Sequence, residues 1–239
     1  MIDESTTISA VEAPGVVLFF PARNEAASVA DVVRRVPAEV CGRTVTCVVV
    51  DDHSGDGTGF LAAAAGARVV TNTGPGGLGA AVRLGLADAV ARGAAAVAFC
   101  DADGEYAPEE LERLIAPILA GDADYVVGSR FSGQIRRMLP HRRFGNRVLT
   151  MALARIARRP ITDGQSGYRA LSARAAASAE IIHDYNYAQV LTLDLVRNGF
   201  RYAEVPISYS FREHGRSFVR LDRYLRKVVP GVVRELRAP

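Results

Sequence analysis

Asp101, Asp103 and Glu105 stand at alternate positions directly after the apolar run Ala95–Cys100. In an extended backbone, residues two apart project from one face. The three carboxylates are therefore placed to converge on one hard cation at the carboxyl end of a strand. Mg²⁺ or Mn²⁺ suits such oxygen ligands, with one or two carboxylates leaving the other positions to phosphate oxygens and water. A solvated acidic turn after a strand would carry the same residues, so the company of the motif has to decide.

That company is polar and regularly placed. Val16–Phe20 leads into Pro21-Ala22-Arg23-Asn24-Glu25, Val45–Val50 into Asp51-Asp52-His53-Ser54, and Tyr125–Gly128 into Ser129-Arg130. The glycine-rich Thr73-Gly74-Pro75-Gly76-Gly77-Leu78-Gly79 lacks the Lys-Ser/Thr ending of a phosphate-binding P-loop and follows the third strand rather than the first, where a dinucleotide fingerprint belongs. It is either a turn whose N–H groups face a ligand or a plain structural turn. Asp52-His53-Ser54-Gly55-Asp56-Gly57 begins like a calcium loop, but its twelfth position is Ala63 in place of a bidentate Glu, which excludes calcium. His53, His141, His183 and His214 lack ligand spacing and read as polar structural residues.

The elements that must position these residues alternate. Strand-length runs at 16–20, 45–50, 68–71, 95–100 and 125–128 are separated by helical patterns at 28–36, 57–65, 79–91 and 108–119. This predicts an α/β fold, a single Rossmann-like domain with a mostly parallel central sheet flanked by helices. In such sheets ligands sit outside the carboxyl ends of the strands, so the polar loops share one crevice. The second half predicts helices over 144–157 and 187–197, a strand over 202–209, and a basic C-terminal segment over 211–237 with apolar residues at helical spacing. Residues 1–13 read as a flexible tail and 14–239 as one domain.

Composition frames the rest. The 239 residues are 49% hydrophobic and 23% charged with a formal charge of +3, which suits a soluble globular protein and argues against nucleic acid as a partner. No apolar run approaches the roughly 18 residues of a membrane span, and the acidic opening residues lack the pattern of a secretion signal. Three cysteines without metal-ligand spacing, Cys41, Cys47 and Cys100, point to reduced thiols. The expected location is cytoplasmic, or peripheral at the inner face of a membrane.

Taken together, Pro21-Ala22-Arg23-Asn24-Glu25, the Asp51–Thr58 segment, Asp101-Ala102-Asp103, Gly128-Ser129-Arg130 and Gln165-Ser166-Gly167-Tyr168-Arg169 resemble, in order and spacing, the family 2 inverting glycosyltransferases of the polyprenyl-phosphate sugar synthase (dolichyl-phosphate mannose synthase) type. The resemblance spans about residues 16–220. It implies a GT-A fold, a GDP- or UDP-linked sugar donor, Mg²⁺ or Mn²⁺, and a single displacement that inverts the anomeric centre. It also implies that Pro21, Arg23 and Glu25 border the nucleoside, that Asp52 lies near the base or ribose, and that Gly79 and Arg83 belong to the donor loop and its helix. Asp101 falls on the ribose or metal side, with Asp103 and Glu105 on the metal.

Arg130 and Arg169 match the family's arginines. A guanidinium fork aimed at the leaving diphosphate would stabilise its developing charge; the alternative for both is a surface salt bridge. Asp163 matches a family aspartate and is either a base or acceptor orienter, or a turn residue. The family's late R-x-x-G-x-S-K reads here Arg212-Glu213-His214-Gly215-Arg216-Ser217-Phe218, so Phe218 replaces a lysine, and either Arg216 or Arg220 takes over its charge or the acceptor differs from the family norm. The implied acceptor is a polyprenyl phosphate. A soluble small-molecule or saccharide acceptor, and a non-catalytic nucleotide-sugar-binding module, are the alternatives. The C-terminal segment is either a lipid-facing amphipathic helix, giving peripheral membrane contact, or a helix docked on the sheet.

Overall fold

The computed structural model describes residues 13–182 and 187–211. Strand β1 (Val16–Ala22) buries all seven of its residues, because a strand covered on both faces has no side for polar groups. It lies between β3 (Arg43–Asp51) and β5 (Ala96–Phe99), parallel to both, with Phe19 opposite Val48 and Phe99. The two residues of β2 (Glu39–Val40) pair antiparallel with the start of β3, and β4 (Arg68–Thr71) pairs parallel with its end. Beyond β5 comes β7 (Arg169–Ser172), antiparallel to β5 and to β6 (Tyr125–Arg137). The parallel β8 (Tyr202–Ser210) closes the eight-stranded sheet.

Side-chain alternation along β1 divides the core. Val16, Leu18 and Phe20 face one layer with α1 (Val29–Arg34), α2 (Thr58–Ala64) and α4 (Leu111–Leu119). Val17 and Phe19 face the other, with α3 (Leu78–Ala91), α6 (Ala173–Ser178) and α7 (Ala188–Arg197). A long helix, α5 (Pro140–Ala157), packs Leu153 against Ile161 and Leu193 in a separate small cluster. The three cysteines are free; burial lifts the Cys47 thiol to about 12 and leaves Cys100 fully enclosed, whereas Cys41 is exposed.

Three expectations need correction. The strand at Tyr125 does not end at Gly128 but continues through Ser129 and Arg130 to Arg137, because β8 pairs with it along that length across a bulge. No strand was expected at Arg169, yet one begins there, and it runs antiparallel inside a sheet whose first half is parallel. The helix expected at 144 starts at Pro140, which occupies the first turn where a missing N–H costs nothing. Arg216, Phe218, Arg220, His183 and His214, most of the C-terminal segment and nearly all of the tail lie outside the described residues.

Candidate functional site

Parallel pairing brings the loops after β1, β3, β4 and β5 to one edge of the sheet. The antiparallel β7 brings its beginning to the same edge, with Arg169 opposite Phe99 and Val127. The first two loops are stitched together. Asn24 N–H donates to Ser54 Oγ (3.0 Å), Gly55 N–H to Asn24 Oδ1 (2.9 Å), Glu25 N–H to Thr58 Oγ1 (2.9 Å) and Ala26 N–H to Asp56 Oδ2 (3.1 Å). Asn24 and His53 hold left-handed backbone at φ 56° and 60°, a conformation non-glycine residues adopt seldom and mostly where surrounding bonds enforce it.

Asp52 is the brace of this region. Its buried carboxylate accepts Asn72 Nδ2 (2.7 Å) and Gly77 N–H (2.8 Å), lies 3.2 Å from His53 Nδ1, and stands 3.9 Å from the Arg23 guanidinium. It thereby fixes the glycine-rich loop against the end of β3, with the N–H at the entry to α3 anchored. Asn72 has the same task, accepting Gly74 N–H (3.0 Å) and donating to Pro75 O (2.9 Å). Its only signal in the sequence is its place between a strand and the glycine run. Pro21 is buried in β1 and Gly79 in the first turn of α3, while Arg83 is exposed on α3 and donates to Ile181 O at 2.8 Å.

The acidic residues occupy a turn, not an extended strand. β5 ends at Phe99, Asp103 Oδ1 accepts Glu105 N–H (3.1 Å), and Gly104 takes φ 77°. The alternate-position geometry that would converge three carboxylates is thereby lost, and Glu105 Oε2 instead accepts the Tyr209 hydroxyl at 2.7 Å. Among the described residues no group of three His, Cys, Asp or Glu side chains converges as a metal cage. Asp101 and Asp103 remain half-buried at the sheet edge. Two hard oxygen donors there fit a divalent cation shared with phosphate oxygens, the arrangement Mg²⁺ favours over an all-protein cage.

In the second half, Arg130 and Asp163 form a buried fork-to-fork pair. Nε donates to Oδ2 (2.7 Å), Nη2 to Oδ1 (2.9 Å), and the Arg130 N–H also donates to Oδ2 (3.0 Å). Burial would depress the Arg130 pKa, but Tyr106 and Asp163 outweigh it and hold the guanidinium charged. The turn carrying Asp163 is itself held by Glu204, which accepts Thr162 N–H and Oγ1, Asp163 N–H and the Tyr202 hydroxyl. Sequence reasoning missed Glu204, whose motif-free strand position gave no sign. Arg130 also stacks over Tyr209, 5.0 Å from the ring centroid, so Tyr209 touches both this pair and the acidic turn.

Arg169 is placed differently from its expectation. It is fully buried and donates to Ser166 O (2.9 Å), Gly164 O (3.1 Å), Ala188 O (2.9 Å), Thr192 Oγ1 (3.0 Å) and the Tyr125 hydroxyl. A guanidinium so engaged fixes the 164–166 turn from beneath and does not face the crevice. Neither arginine is a surface salt bridge. Asp163 likewise has both oxygens engaged, Gln165 N–H adding a bond to Oδ1 (3.3 Å), and its carboxylate aligns the Arg130 guanidinium.

The model of the glycosyl transferase family 2 matches residues 18–178, a span that includes every one of these loops. The chain belongs to glycosyl transferase family 2. This hexosyltransferase is 35% identical over 212 residues to a polyprenol monophosphomannose synthase of Mycolicibacterium smegmatis, covering 84% of this chain and 79% of the relative. It is 32% identical over 181 residues to an undecaprenyl-phosphate mannosyltransferase of Micrococcus luteus, covering 71% and 74%. Its fold matches the glucosyl-3-phosphoglycerate synthase of Mycobacterium tuberculosis solved with Mn²⁺, uridine diphosphate and glucosyl-3-phosphoglycerate, with TM-score 0.75, 25% identity and coverage of 95% and 81%. The glycosyltransferase thus has the GT-A fold expected of its sequence. Among its described residues no helix is long and apolar enough to cross a membrane.

Proposed function

We propose that this glycosyltransferase moves a hexose from a nucleotide-diphosphate sugar to a polyprenyl phosphate, in a metal-dependent single displacement that inverts the anomeric centre. The observation that carries the reading is the 35% identity, over 84% of the chain, to a relative named for polyprenol monophosphomannose synthesis. In this reading Pro21, Arg23 and Glu25 border the nucleoside of a GDP- or UDP-linked donor. Asp52 holds the loop that contains Gly79, beside which Arg83 projects. Asp101 and Asp103 hold Mg²⁺ or Mn²⁺, which when bound neutralises charge building on the departing diphosphate.

The second half serves the acceptor. A phosphate acceptor is already an anion and needs little deprotonation, which agrees with an Asp163 whose oxygens are occupied. Arg130, kept charged and aligned by Asp163, supplies a preorganised positive potential at the sheet edge. With the acceptor in a lipid, the enzyme works peripherally at the inner face of the membrane.

A second reading, a soluble phosphorylated acceptor, is favoured by the fold match to a glucosyl-3-phosphoglycerate synthase. The two separate in one competition. A labelled nucleotide hexose is offered together with a short-chain polyprenyl phosphate and 3-phosphoglycerate in the presence of Mn²⁺. Label in the organic phase is the expected result; label only in the aqueous product transfers the assignment to the second reading. Donor binding without either product makes the chain a binding module.

A further inference from the structure

Tyr209 stands one residue before the end of β8, buried on the same face as Ile207. Filling that space needs only an aromatic ring, whereas a buried hydroxyl destabilises the fold unless it finds a partner. It finds one in the acidic turn, donating to Glu105 Oε2 at 2.7 Å across a separation of 104 residues in the chain. The backbone ties the same two segments twice more. Ser210 N–H donates to Glu105 O at 3.1 Å, and Tyr106 and Tyr209 form an isolated antiparallel bridge with their rings edge to face at 5.6 Å. The end of β8 therefore clamps the segment that carries Asp101 and Asp103.

The clamp reaches the carboxylates through the turn itself. Glu105 N–H donates to Asp103 Oδ1 at 3.1 Å, so what anchors Glu105 also orients the Asp103 side chain. The ring of Tyr209 serves the other half of the site, where the Arg130 guanidinium lies over it, 5.0 Å from the centroid. The hydroxyl takes a negative group and the electron-rich face a positive one. One side chain thus orients an acidic and a basic residue of the site at once, and the two tasks reside in different parts of it.

We propose that Tyr209 is a positioning residue for the cation: its hydroxyl, acting through Glu105, sets the geometry in which Asp101 and Asp103 hold a divalent metal. The proposal rests on the metal-dependent reading above, but it concerns affinity, which is measured without any sugar transfer. Free Mn²⁺ is followed by electron paramagnetic resonance as the full chain is titrated with uridine diphosphate present and, in parallel, with guanosine diphosphate. Tyr209→Phe keeps the ring against Arg130 and Tyr106 and removes only the donor. Its Mn²⁺ Kd should rise about tenfold, with the melting temperature lowered by no more than about 4 °C. Glu105→Ala should raise the Kd at least as much, and Tyr209→Phe added to it should change nothing further, since the hydroxyl then has no carboxylate to act through. Glu105→Gln, whose amide oxygen still accepts the hydroxyl, should keep most of the affinity. In transfer, Tyr209→Phe should need more Mn²⁺ for half-maximal rate yet recover the wild-type kcat at saturating Mn²⁺. Tyr209→Leu, which also takes the ring from Arg130, should lose kcat that Mn²⁺ does not restore.

An unchanged Mn²⁺ Kd in a folded Tyr209→Phe overturns the proposal and leaves the metal-dependent reading standing. Tighter binding by Tyr209→Phe overturns it as well, since the hydroxyl would then be holding Glu105 off the ion. So does a further rise in Kd when Tyr209→Phe is added to Glu105→Ala, because the tyrosine would then act by a route other than Glu105. Absence of Mn²⁺ binding to the wild-type chain with either nucleotide removes the proposal and the metal-dependent reading together.

Discussion

A Cβ built on Gly167 would stand 2.7 Å from Oδ2 of Asp101 and 3.2 Å from the ring of Tyr106. Two segments more than sixty residues apart in the chain thus meet with no room for a methyl group, and the Gly167 N–H seals the contact by donating to the Tyr106 hydroxyl at 2.7 Å. Gly167→Ala should push the Asp101 carboxylate aside, since the end of a side chain yields more readily than backbone. Transfer is expected to fall tenfold or more, about 1.4 kcal/mol of transition-state stabilisation, with little change in melting temperature. Steady-state kinetics beside a thermal melt check this; a variant of full activity would mean that the position of Asp101 is immaterial.

Arg130 and Asp163 are both buried, and removing one partner strands the other. Arg130→Ala and Asp163→Ala should each cost about 3–5 kcal/mol of stability, with the double variant costing less than their sum. Urea denaturation gives all three values. Arg130→Lys keeps charge but loses the fork, and should fall between wild type and Arg130→Ala.

Asp52 offers a test of the donor loop. Asp52→Ala leaves the Gly77 N–H without its acceptor and Asn72 Nδ2 with Pro75 O alone, a loss of about 1–3 kcal/mol. Because the loop it holds is assigned to the donor, donor KM should rise more than kcat falls. An unchanged donor KM in a folded variant would place the donor elsewhere.

These contacts were unevenly legible in the sequence. β1, β5 and the Val48–Val50 part of β3 were readable because strands buried on both faces must be apolar, and β4 because its short apolar pair follows a helix and precedes the glycine run. β7 was not, since the four residues Arg169-Ala170-Leu171-Ser172 become a strand only through their pairing with β5 and β6. The burial of Arg169 depends on carbonyl oxygens at 164, 166 and 188 closing around it, which no local pattern announces. The loops at the sheet edge were found by residue type, but their geometry was not. Alternation in Asp101–Glu105 suggested a converging triad, whereas a bond from the Glu105 N–H to Asp103 folds it into a turn.

Acid should weaken the fold through Asp124. Hydrogen bonds from Arg201 lower its pKa from 3.8 to about 2, despite the opposing effect of burial, with Arg174 assisting. A carboxylate with a depressed native pKa stabilises the fold above its unfolded pKa, near 4, and that contribution is lost as pH falls toward 2. Asp124→Asn should cost on the order of 1–2 kcal/mol at neutral pH, the exposed arginines being screened, and should lose less stability than wild type between pH 5 and 2. Denaturant midpoints across that range decide it.

The most direct measurement of the central claim is the initial rate of hexose transfer to a short-chain polyprenyl phosphate by wild type and Asp103→Ala, each with Mn²⁺ and with chelator. A lipid-linked product of inverted anomeric configuration, formed by wild type only when metal is present and not by a folded Asp103→Ala, is the predicted result. Undiminished transfer by Asp103→Ala or under chelation would contradict it.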